Sequence, residues 1–336
     1  MKRTIKLLLL TVLGTWMAGS AWALDQDADG VYQIGSAQDL ADFANKVNES
    51  RQYGLNAVLT ADIDFTSNSE MIGVEGKPYN GTFDGQGHKV TVAYNTTESE
   101  TALFRRTNGA TIKNLAVTGT ITTTGQFAGG IVSGIWETTT LENCIADVDI
   151  SDSGSGDGTH GGIVARISNK NQILIKNCAF TGTLNAPNRE GSGGIIGWPD
   201  NGGTAVKIQN CLVIGTITLK QGSNNDIIVR NSATVTNTYF FDQQNLNNQN
   251  GGIQTTTAIA SSGELCWWLN ESQADTPHWY QEIGTDATPS PIGTAVVYSN
   301  GDLNCDGSSK GTATYGNTNS SNRDPHMFEG GICISC

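Results

Sequence analysis

The sequence predicts an all-β protein, a parallel β-solenoid in which each coil of the chain lies on the one before it. A paired-glycine unit followed by two apolar residues recurs every 32 residues. Its copies begin at Gly129, Gly161 and Gly193, and a degenerate fourth copy begins at Asn225. A second unit, with Asn at its third position, runs in phase with the first. Its copies are 112–115, 141–144, 175–178 and 208–211.

The composition of the repeats is the third observation, because helical arrays also show repeats of this length. The repeats are rich in Ile, Val, Thr, Gly and Asn and contain no run of strong helix formers. β-Branched side chains pack well on a pleated surface, and Gly and Asn form corners. Short segments such as 205–209 alternate apolar and polar residues, which suits a wall with one buried face. Each repeat is therefore interpreted as one coil.

Residues 1–23 have the features of a secretory signal peptide. Basic residues precede the short apolar run 7–12, and Ala21 and Ala23 supply a small-residue cleavage site. A signal anchor is the alternative, but the run is short for a membrane span, and no later segment could cross a bilayer as a helix. The formal net charge of -13 argues against nucleic acid and anionic lipid as partners. We expect a protein that is secreted or held at the cell surface.

The segments that flank the repeats predict a cap at each end. Ser36 is a plausible helix N-cap, Asp39 occupies the capping-box position, and apolar residues of 36–47 recur at helical spacing. Such a helix should cover the open end of the core, and the aromatic-rich segment 262–280 should form a lid on the last coil. The predicted division is a signal peptide at 1–23, an N-terminal cap at 24–56, the solenoid at 57–242, a C-terminal cap and linker at 243–300, and a Cys/His tail at 301–336.

Three of the seven cysteines, Cys144, Cys178 and Cys211, each follow the Asn of a repeat. Equivalent positions of a solenoid stack about 4.8 Å apart. We therefore expect the Asn side chains to form an amide ladder along one corner and the thiols to form a buried column. A disulfide between adjacent rungs is within reach, but the parallel Cβ directions disfavour it.

The tail contains four zinc-type ligands, Cys305, His326, Cys333 and Cys336. Their spacing is looser than that of a zinc finger, and export favours oxidation. Three states stay open: a structural zinc, a disulfide that uses two of the three thiols, or neither. Four protein ligands would leave no open position for catalysis, so zinc is a candidate structural cofactor only.

The order of these motifs resembles a known family. The segments YQIGSAQDLADFANKVN, LTADIDF and YNGTFDGQGHKV, followed by the GGIV and NC repeats, resemble the GLUG-motif β-helix proteins exported by Bacteroides- and Prevotella-type bacteria and their adhesin-like relatives. The resemblance covers nearly the whole mature chain. It implies a right-handed parallel β-helix at the cell surface or outside the cell, and it brings no known catalytic residues.

A carbohydrate-active enzyme is the alternative function, because parallel β-helices that cut polysaccharides use clustered carboxylates or a basic residue in a groove. Most of the nearest such group lies in Gly/Ser-rich turns, and no carboxylate pair recurs at a spacing that would aim both at one point. The sequence therefore assigns no catalytic residue. The group comprises Asp147, Asp149, Asp152, Asp157, His160, Arg166 and Lys170.

Binding fits the sequence better than catalysis. Trp136, Arg166 and Trp198 follow successive paired-glycine strands by a few residues, so we expect them to line one edge of neighbouring coils. There the rings and the guanidinium could stack on sugar faces or hold a protein loop, the alternative being that they shield turn backbone. The predicted function is non-catalytic, adhesin-like binding of an extracellular glycan or a host or matrix protein. The sequence does not indicate the oligomeric state.

Overall fold

The computed structural model describes residues 24–49, 52–168, 172–200, 203–221, 224–241, 246–248, 250–300 and 313–319, with backbone alone at 203–204, 328–329 and 332–333. The predicted signal peptide lies outside the described residues. The elements of the first half are β1 (Tyr32–Ile34), α1 (Ala37–Glu49), β2 (Ala57–Leu59), β3 (Ile63–Asp64), β4 (Thr82–Asp84), β5 (Lys89–Thr96), β6 (Phe104–Thr107), β7 (Thr111–Lys113), β8 (Ala116–Thr123), β9 (Val132–Ile135), β10 (Thr139–Glu142), β11 (Ile145–Asp152), β12 (Gly156–Asp157) and β13 (Val164–Ile167).

The remaining elements are β14 (Ile173–Lys176), β15 (Ala179–Phe180), β16 (Thr183–Ala186), β17 (Arg189–Glu190), β18 (Ile196–Pro199), β19 (Gly203–Gln209), β20 (Leu212–Val213), β21 (Thr216–Leu219), β22 (Ala233–Thr236), β23 (Tyr239–Phe241), β24 (Ile253–Thr255), α2 (Thr257–Ser261), α3 (Glu264–Leu269), β25 (Tyr298–Ser299), β26 (Tyr315–Gly316), β27 (Phe328–Glu329) and β28 (Ile332–Cys333).

Three parallel sheets form the walls of a β-solenoid of about 7 turns, which confirms the predicted fold class. The first wall has the strand order β1-β2-β4-β7-β10-β14-β19-β22. The second wall runs β24-β23-β20-β15-β11-β8-β5-β3 and includes β16 and β21. The third wall is β18-β13-β9-β6. A coil visits the three walls in this order, so neighbouring strands in every wall come from successive coils.

The register places equivalent residues of successive repeats on top of one another. Leu141 pairs with Ile112 of the preceding coil and with Ile175 of the next, and all three are fully buried. The paired-glycine units stack in the same way, since the amide of Ile131 donates to the carbonyl of Ile163 at 3.0 Å. The repeat period therefore builds one continuous core, as the sequence predicts.

The degenerate fourth copy of the paired-glycine unit is displaced by one residue from the sequence alignment. Gly161 pairs with Gly193, but Gly193 pairs with Asp226 and not with Asn225. The carboxylate of Asp226 accepts the amide of Ile228 at 2.9 Å, and the amide oxygen of Asn225 accepts the backbone N–H of residue 192 at 2.7 Å. Polar side chains thus supply corner hydrogen bonds in this coil, whose register is shifted by one residue.

The corner between the first and second walls is formed by the asparagine of each repeat. These residues have left-handed φ values between 43° and 53°, which Asn tolerates better than most residues. Their amides form the predicted ladder, with Nδ2 to Oδ1 distances of 3.0 Å from Asn143 to Asn114, from Asn177 to Asn143 and from Asn237 to Asn210. The other two asparagines donate to carboxylates, Asn114 to Asp84 at 3.0 Å and Asn210 to Glu271 at 3.0 Å.

The repeat cysteines Cys144, Cys178 and Cys211 are free thiols and fully buried, in agreement with the predicted column. Each Sγ lies 3.1–3.2 Å from the carbonyl oxygen two residues before it. Burial raises the pKa of the Cys178 thiol well above its usual value. The Cys178 thiol is therefore protonated and a poor nucleophile, and all three thiols are enclosed in the core as small packing groups.

Helix α1 covers the first coil and is the predicted N-terminal cap. The hydroxyl of Ser36 accepts the backbone N–H of Asp39 at 3.2 Å, and the Asp39 carboxylate accepts the N–H of residue 35 at 3.1 Å. The ring of Phe43 is fully buried and meets Tyr79 and Phe83 edge-on at centroid distances of 6.0 and 5.9 Å. This aromatic cluster closes the core at its N-terminal end.

The aromatic segment after the solenoid lies against its side, where the sequence led us to expect a lid. Ala179, Leu212 and Tyr239 form an outward-facing line on the second wall, and they pack with the apolar residues of α3 and with Trp279 in a second core. The indole N–H of Trp279 donates to the carbonyl of Asn210 at 3.1 Å. The segment therefore acts as a lateral buttress beside the amide ladder.

Candidate functional site

The outer face of the third wall carries a line of rings and guanidinium groups. We call it the arginine–tryptophan column, and its members are Arg106, Trp136, Arg166, Trp198 and Arg230. The register of the wall creates it, because Gly134 pairs with Arg106 on one side and with Arg166 on the other. Arg166 in turn pairs with Trp198 of the next coil. The structure thus brings together the three residues that the sequence predicts to share an edge.

Gly134 makes room for the Trp136 ring. A Cβ atom on Gly134 would lie 2.2 Å from Cζ3 of Trp136, so the indole occupies the space where a side chain of residue 134 would stand. Residues two apart on a strand point to the same face. The ring of Trp136 therefore folds back along the strand and enters the line between the two arginines.

Both faces of the Trp136 ring are covered by guanidinium groups. The Cζ of Arg106 lies 4.6 Å from the ring centroid, and the Cζ of Arg166 lies 5.0 Å from it. These distances match the spacing of about 4.8 Å between rungs. Arg166 also lies 4.5 Å over the ring of Phe127. In this arrangement arginine side chains occupy the faces of the Trp136 ring, so stacking of a sugar on this ring, which the sequence suggests, would require one of them to move.

Glu100 ties the two arginines together. Its carboxylate accepts a hydrogen bond from Nε of Arg106 at 2.5 Å and lies 3.6 Å from Nη2 of Arg166. Glu100 is 6% exposed and has a φ of 68°, a left-handed conformation that costs about 1–3 kcal/mol unless its surroundings hold it. Its backbone N–H donates to the carbonyl of Gln126 at 2.8 Å, and the two ion pairs hold its carboxylate.

Arg166 has donors to spare. Within the part of the chain that the structure describes, its guanidinium makes no hydrogen bond, and its Nε atom is buried without a partner. Its side chain remains 22% exposed. A buried N–H without an acceptor costs about 1–3 kcal/mol, and more when the group is charged. Because Nε itself is closed to a ligand, the terminal nitrogens Nη1 and Nη2 are the donors that Arg166 can offer to an acceptor from outside.

Trp198 and Arg230 form the far end of the column. The Cζ of Arg230 lies 5.8 Å from the Trp198 ring centroid, and its Nη1 contacts Thr159 at 3.3 Å and Asp157 at 3.6 Å. Because the fourth repeat is shifted by one residue, Val229 pairs with Ile196, and Arg230 reaches the ring from the neighbouring position. This end is looser than the stack around Trp136.

The acidic and basic residues considered for an enzyme do not form an accessible site. His160 and Asp152 are buried, with side chains that are 0% exposed. Asp147, Asp149 and Asp157 are exposed, and Lys170 lies outside the described residues. His160 Nδ1 accepts the backbone N–H of residue 128 at 3.0 Å, which places the ring proton on Nε2, 2.6 Å from Asp152. Both ring nitrogens are committed, so His160 cannot serve an external substrate as a base.

Arg189 completes this buried network. Its Nε donates to the Asp152 carboxylate at 2.6 Å, and its terminal nitrogens donate to the carbonyls of Ser155 at 2.7 Å and Thr124 at 2.6 Å. Burial alone would raise the pKa of Asp152, but the hydrogen bonds from His160 and Arg189 hold it below its usual value. Burial lowers the pKa of His160, and the hydrogen bond to Asp152 opposes this effect only in part. The network is a neutral imidazole beside an ion pair.

We expect the stability to fall as the pH drops below about 6.5, the ordinary pKa of histidine. His160 is neutral when folded, so the unfolded chain binds the additional proton, and the free energy of unfolding falls with pH by up to about 1.4 kcal/mol per unit. Thermal melting at pH 7.5 and 5.5 measures this effect. His160→Gln should flatten the dependence. Equal melting temperatures of the wild type at both pH values would refute the expectation.

The predicted metal site in the tail lies outside the described residues for Cys305, His326 and Cys336. For Cys333 only the backbone is described, in the short antiparallel pair of β27 and β28. Within the described ranges no group of three or more His, Cys, Asp or Glu residues could hold a metal ion. Structural zinc in the tail stays a hypothesis.

None of the helices in the described ranges is long and apolar enough to span a membrane.

Sequence reasoning missed Arg106, Phe127, Glu100 and Arg230 as members of this site. One signal was available, because Gly134, Arg166, Trp198 and Arg230 follow one another at steps of 32 residues. Arg106 breaks that period, since it precedes Gly134 by 28 residues. Glu100 and Phe127 reach the column from the loops before the third wall, so no period reveals them.

The fold and this column define the protein as a parallel β-solenoid with a cationic and aromatic line on one wall. A comparable solved structure is the "putative immunoglobulin A1 protease" from Bacteroides ovatus, with a TM-score of 0.53 and 17% sequence identity. The match covers 79% of this chain and 93% of that chain. At this identity the likeness concerns the fold alone. No protein-family model matches the chain, and no curated protein matches it.

Proposed function

We propose that this protein is an exported, non-catalytic, adhesin-like β-solenoid that binds glycans outside the cell. The observation that carries the proposal is the arginine–tryptophan column, which crosses successive rungs of one wall and contains a guanidinium without a hydrogen bond among the described residues. A line of repeated groups on a straight wall suits a repeating ligand. The features of residues 1–23 and the resemblance to GLUG-motif proteins support export and an adhesin-like role.

A glycan is favoured over a host or matrix protein as the ligand. A stable protein interface buries about 800 Å² on each partner and has a hydrophobic centre. The column offers ring edges and charged donors, and Ile253, the large apolar residue that is exposed among the described residues, lies on the second wall. Charged N–H donors next to aromatic rings can bind the hydroxyl and acid oxygens of sugars.

An enzyme is not favoured by any observation on the described residues. Cleavage of a glycan would require two carboxyl groups facing one bond or a free base in a groove. The His160 imidazole is enclosed, and the Asp152 carboxylate is engaged by Arg189. The structural neighbour is described as a protease, but at 17% sequence identity that description does not extend to this chain.

Binding is tested with the secreted form of the protein on a glycan array and on immobilised matrix proteins. We expect glycan binding without new reducing ends or unsaturated products after long incubation. Trp198→Ala should weaken binding several-fold, because it removes a ring of the column. Trp268→Ala is the matched control, since Trp268 stacks on Tyr239 in the lateral buttress. Turnover of a polysaccharide, or binding to matrix proteins alone, would contradict the proposal.

A further inference from the structure

We infer that the glycan is anionic, with a carboxylate or sulfate on alternate sugars, and that Arg166 is its central donor. This inference rests on the proposed glycan-binding function and specifies the chemistry of the ligand. Three features of the column carry it: the orientation of the Arg166 guanidinium, the spacing of the charged groups, and the balance of charge around them.

The orientation of Arg166 leaves its strong donors available to a ligand. A guanidinium is planar, and its N–H groups lie in that plane. The faces of Arg166 are used, because they lie over the rings of Phe127 and Trp136 at 4.5 and 5.0 Å. Nε is buried and closed to a ligand, so the donors that a ligand can meet are Nη1 and Nη2, which make no hydrogen bond within the described residues. Glu100, at 3.6 Å from Nη2, is beyond hydrogen-bond distance. A carboxylate or sulfate is the acceptor that matches such a fork with two parallel bonds.

The spacing of the charged groups selects a polymer with charge on alternate units. Arg106 and Arg166 lie on opposite faces of the Trp136 ring, two rungs apart, which is about 10 Å. A chain extended along the wall therefore meets two guanidinium groups about 10 Å apart, with the Trp136 ring between them.

The local charge is positive although the whole chain has a formal net charge of -13. The column carries three guanidinium groups, and the buried carboxylate in contact with it is that of Glu100. Glu75 and Asp157 lie 3.6 Å from Arg106 and Arg230 but are 86% and 68% exposed, so solvent weakens both pairs. Charges elsewhere on the surface are screened beyond about 8 Å at physiological salt. Arg166 shares the Glu100 carboxylate with Arg106, which lies closer to it, so an anion at Arg166 meets a guanidinium whose charge is only partly compensated.

The ligand side of the test uses the wild-type protein. Hyaluronan, which carries a carboxylate on every second sugar, is compared with the same polymer after its carboxyl groups have been reduced to hydroxymethyl groups. We expect the native polymer to bind at least about tenfold more tightly, since hydrogen bonds between charged groups contribute about 1.5–3 kcal/mol. Equal binding of both polymers would overturn the anionic inference and leave the glycan proposal standing. No binding of either polymer, or of any glycan on the array, would overturn both.

The protein side of the test uses Arg166→Gln and Arg166→Lys. We expect at least about a tenfold loss for Gln and a smaller loss for Lys, which keeps the charge but lacks the planar fork. Arg105→Gln is the matched control, because Arg105 is the next residue to Arg106 and its guanidinium is paired with Glu98 at 3.3 Å. It changes the net charge equally and should bind like the wild type. Equal losses for Arg105→Gln and Arg166→Gln would overturn the assignment of Arg166, and melting curves establish that each variant is folded.

Discussion

Asp152→Ala is expected to lower the free energy of unfolding by about 3–5 kcal/mol, the cost of leaving one charge of a buried ion pair without its partner. The side chain of Arg189 is 5% exposed and donates through Nε to Asp152 at 2.6 Å. Without that carboxylate the guanidinium keeps only carbonyl oxygens as acceptors, and Nε2–H of His160 loses its partner. Urea titration followed by circular dichroism at pH 7.5 measures the loss.

Two further variants show that the lost stability comes from the uncompensated charge. Asp149→Ala changes a carboxylate on the same strand that faces solvent, and it should remain within about 0.5 kcal/mol of the wild type. The double variant Asp152→Ala with Arg189→Met removes both charges and should recover part of the loss. If the free energy of unfolding of Asp152→Ala lies within about 1 kcal/mol of the wild-type value, Arg189 is not confined in the way its hydrogen bonds indicate.

Gly162→Ala is expected to cost about 3 kcal/mol, at the upper end of what overpacking a core usually costs. A Cβ atom on Gly162 would lie 2.1 Å from the carbonyl oxygen of Gly194 in the next coil and 2.5 Å from Cγ of Phe180. The amide of Gly162 donates to the carbonyl of Gly193 at 3.1 Å, so the rungs cannot separate without breaking this bond. The midpoint of urea unfolding should fall accordingly.

Gly54→Ala provides the control for this prediction. A Cβ atom on Gly54 would meet only the side-chain oxygen of Asn80, at 3.2 Å, and that side chain can rotate away. We expect a change of less than about 1 kcal/mol for this variant. Equal unfolding midpoints for Gly162→Ala and Gly54→Ala would show that the paired glycines are not needed for close approach of the rungs.

The repeat was readable from the sequence because a parallel solenoid stacks residues one period apart. The core positions of Leu141 and Ile175, the amide ladder through Asn143 and the buried thiol of Cys178 all follow from the two units in phase. Each of these positions needs only its own repeat and the next one. The lateral position of the segment around Trp279 did not follow, since nothing local indicates which surface of the solenoid an aromatic segment will cover.

The candidate site was predictable in part for the same reason. Trp136, Arg166 and Trp198 follow equivalent strands, so their repeat positions indicate a shared face. Those positions did not indicate that Arg106 and Arg166 cover the Trp136 ring. This covering depends on the absence of a side chain at Gly134 and on Arg106, which lies outside the regular period.

By itself the sequence determined the coil, its period and the line of residues along one wall, because hydrogen-bonded parallel strands turn an interval along the chain into an interval in space. Tertiary structure alone decided how those side chains are used. Burial encloses His160 with Asp152 and Arg189, and stacking holds Arg166 with its Nε buried and its terminal nitrogens without a hydrogen bond among the described residues. The reason is that exposure and side-chain direction depend on neighbours from several coils at once, which no single repeat encodes.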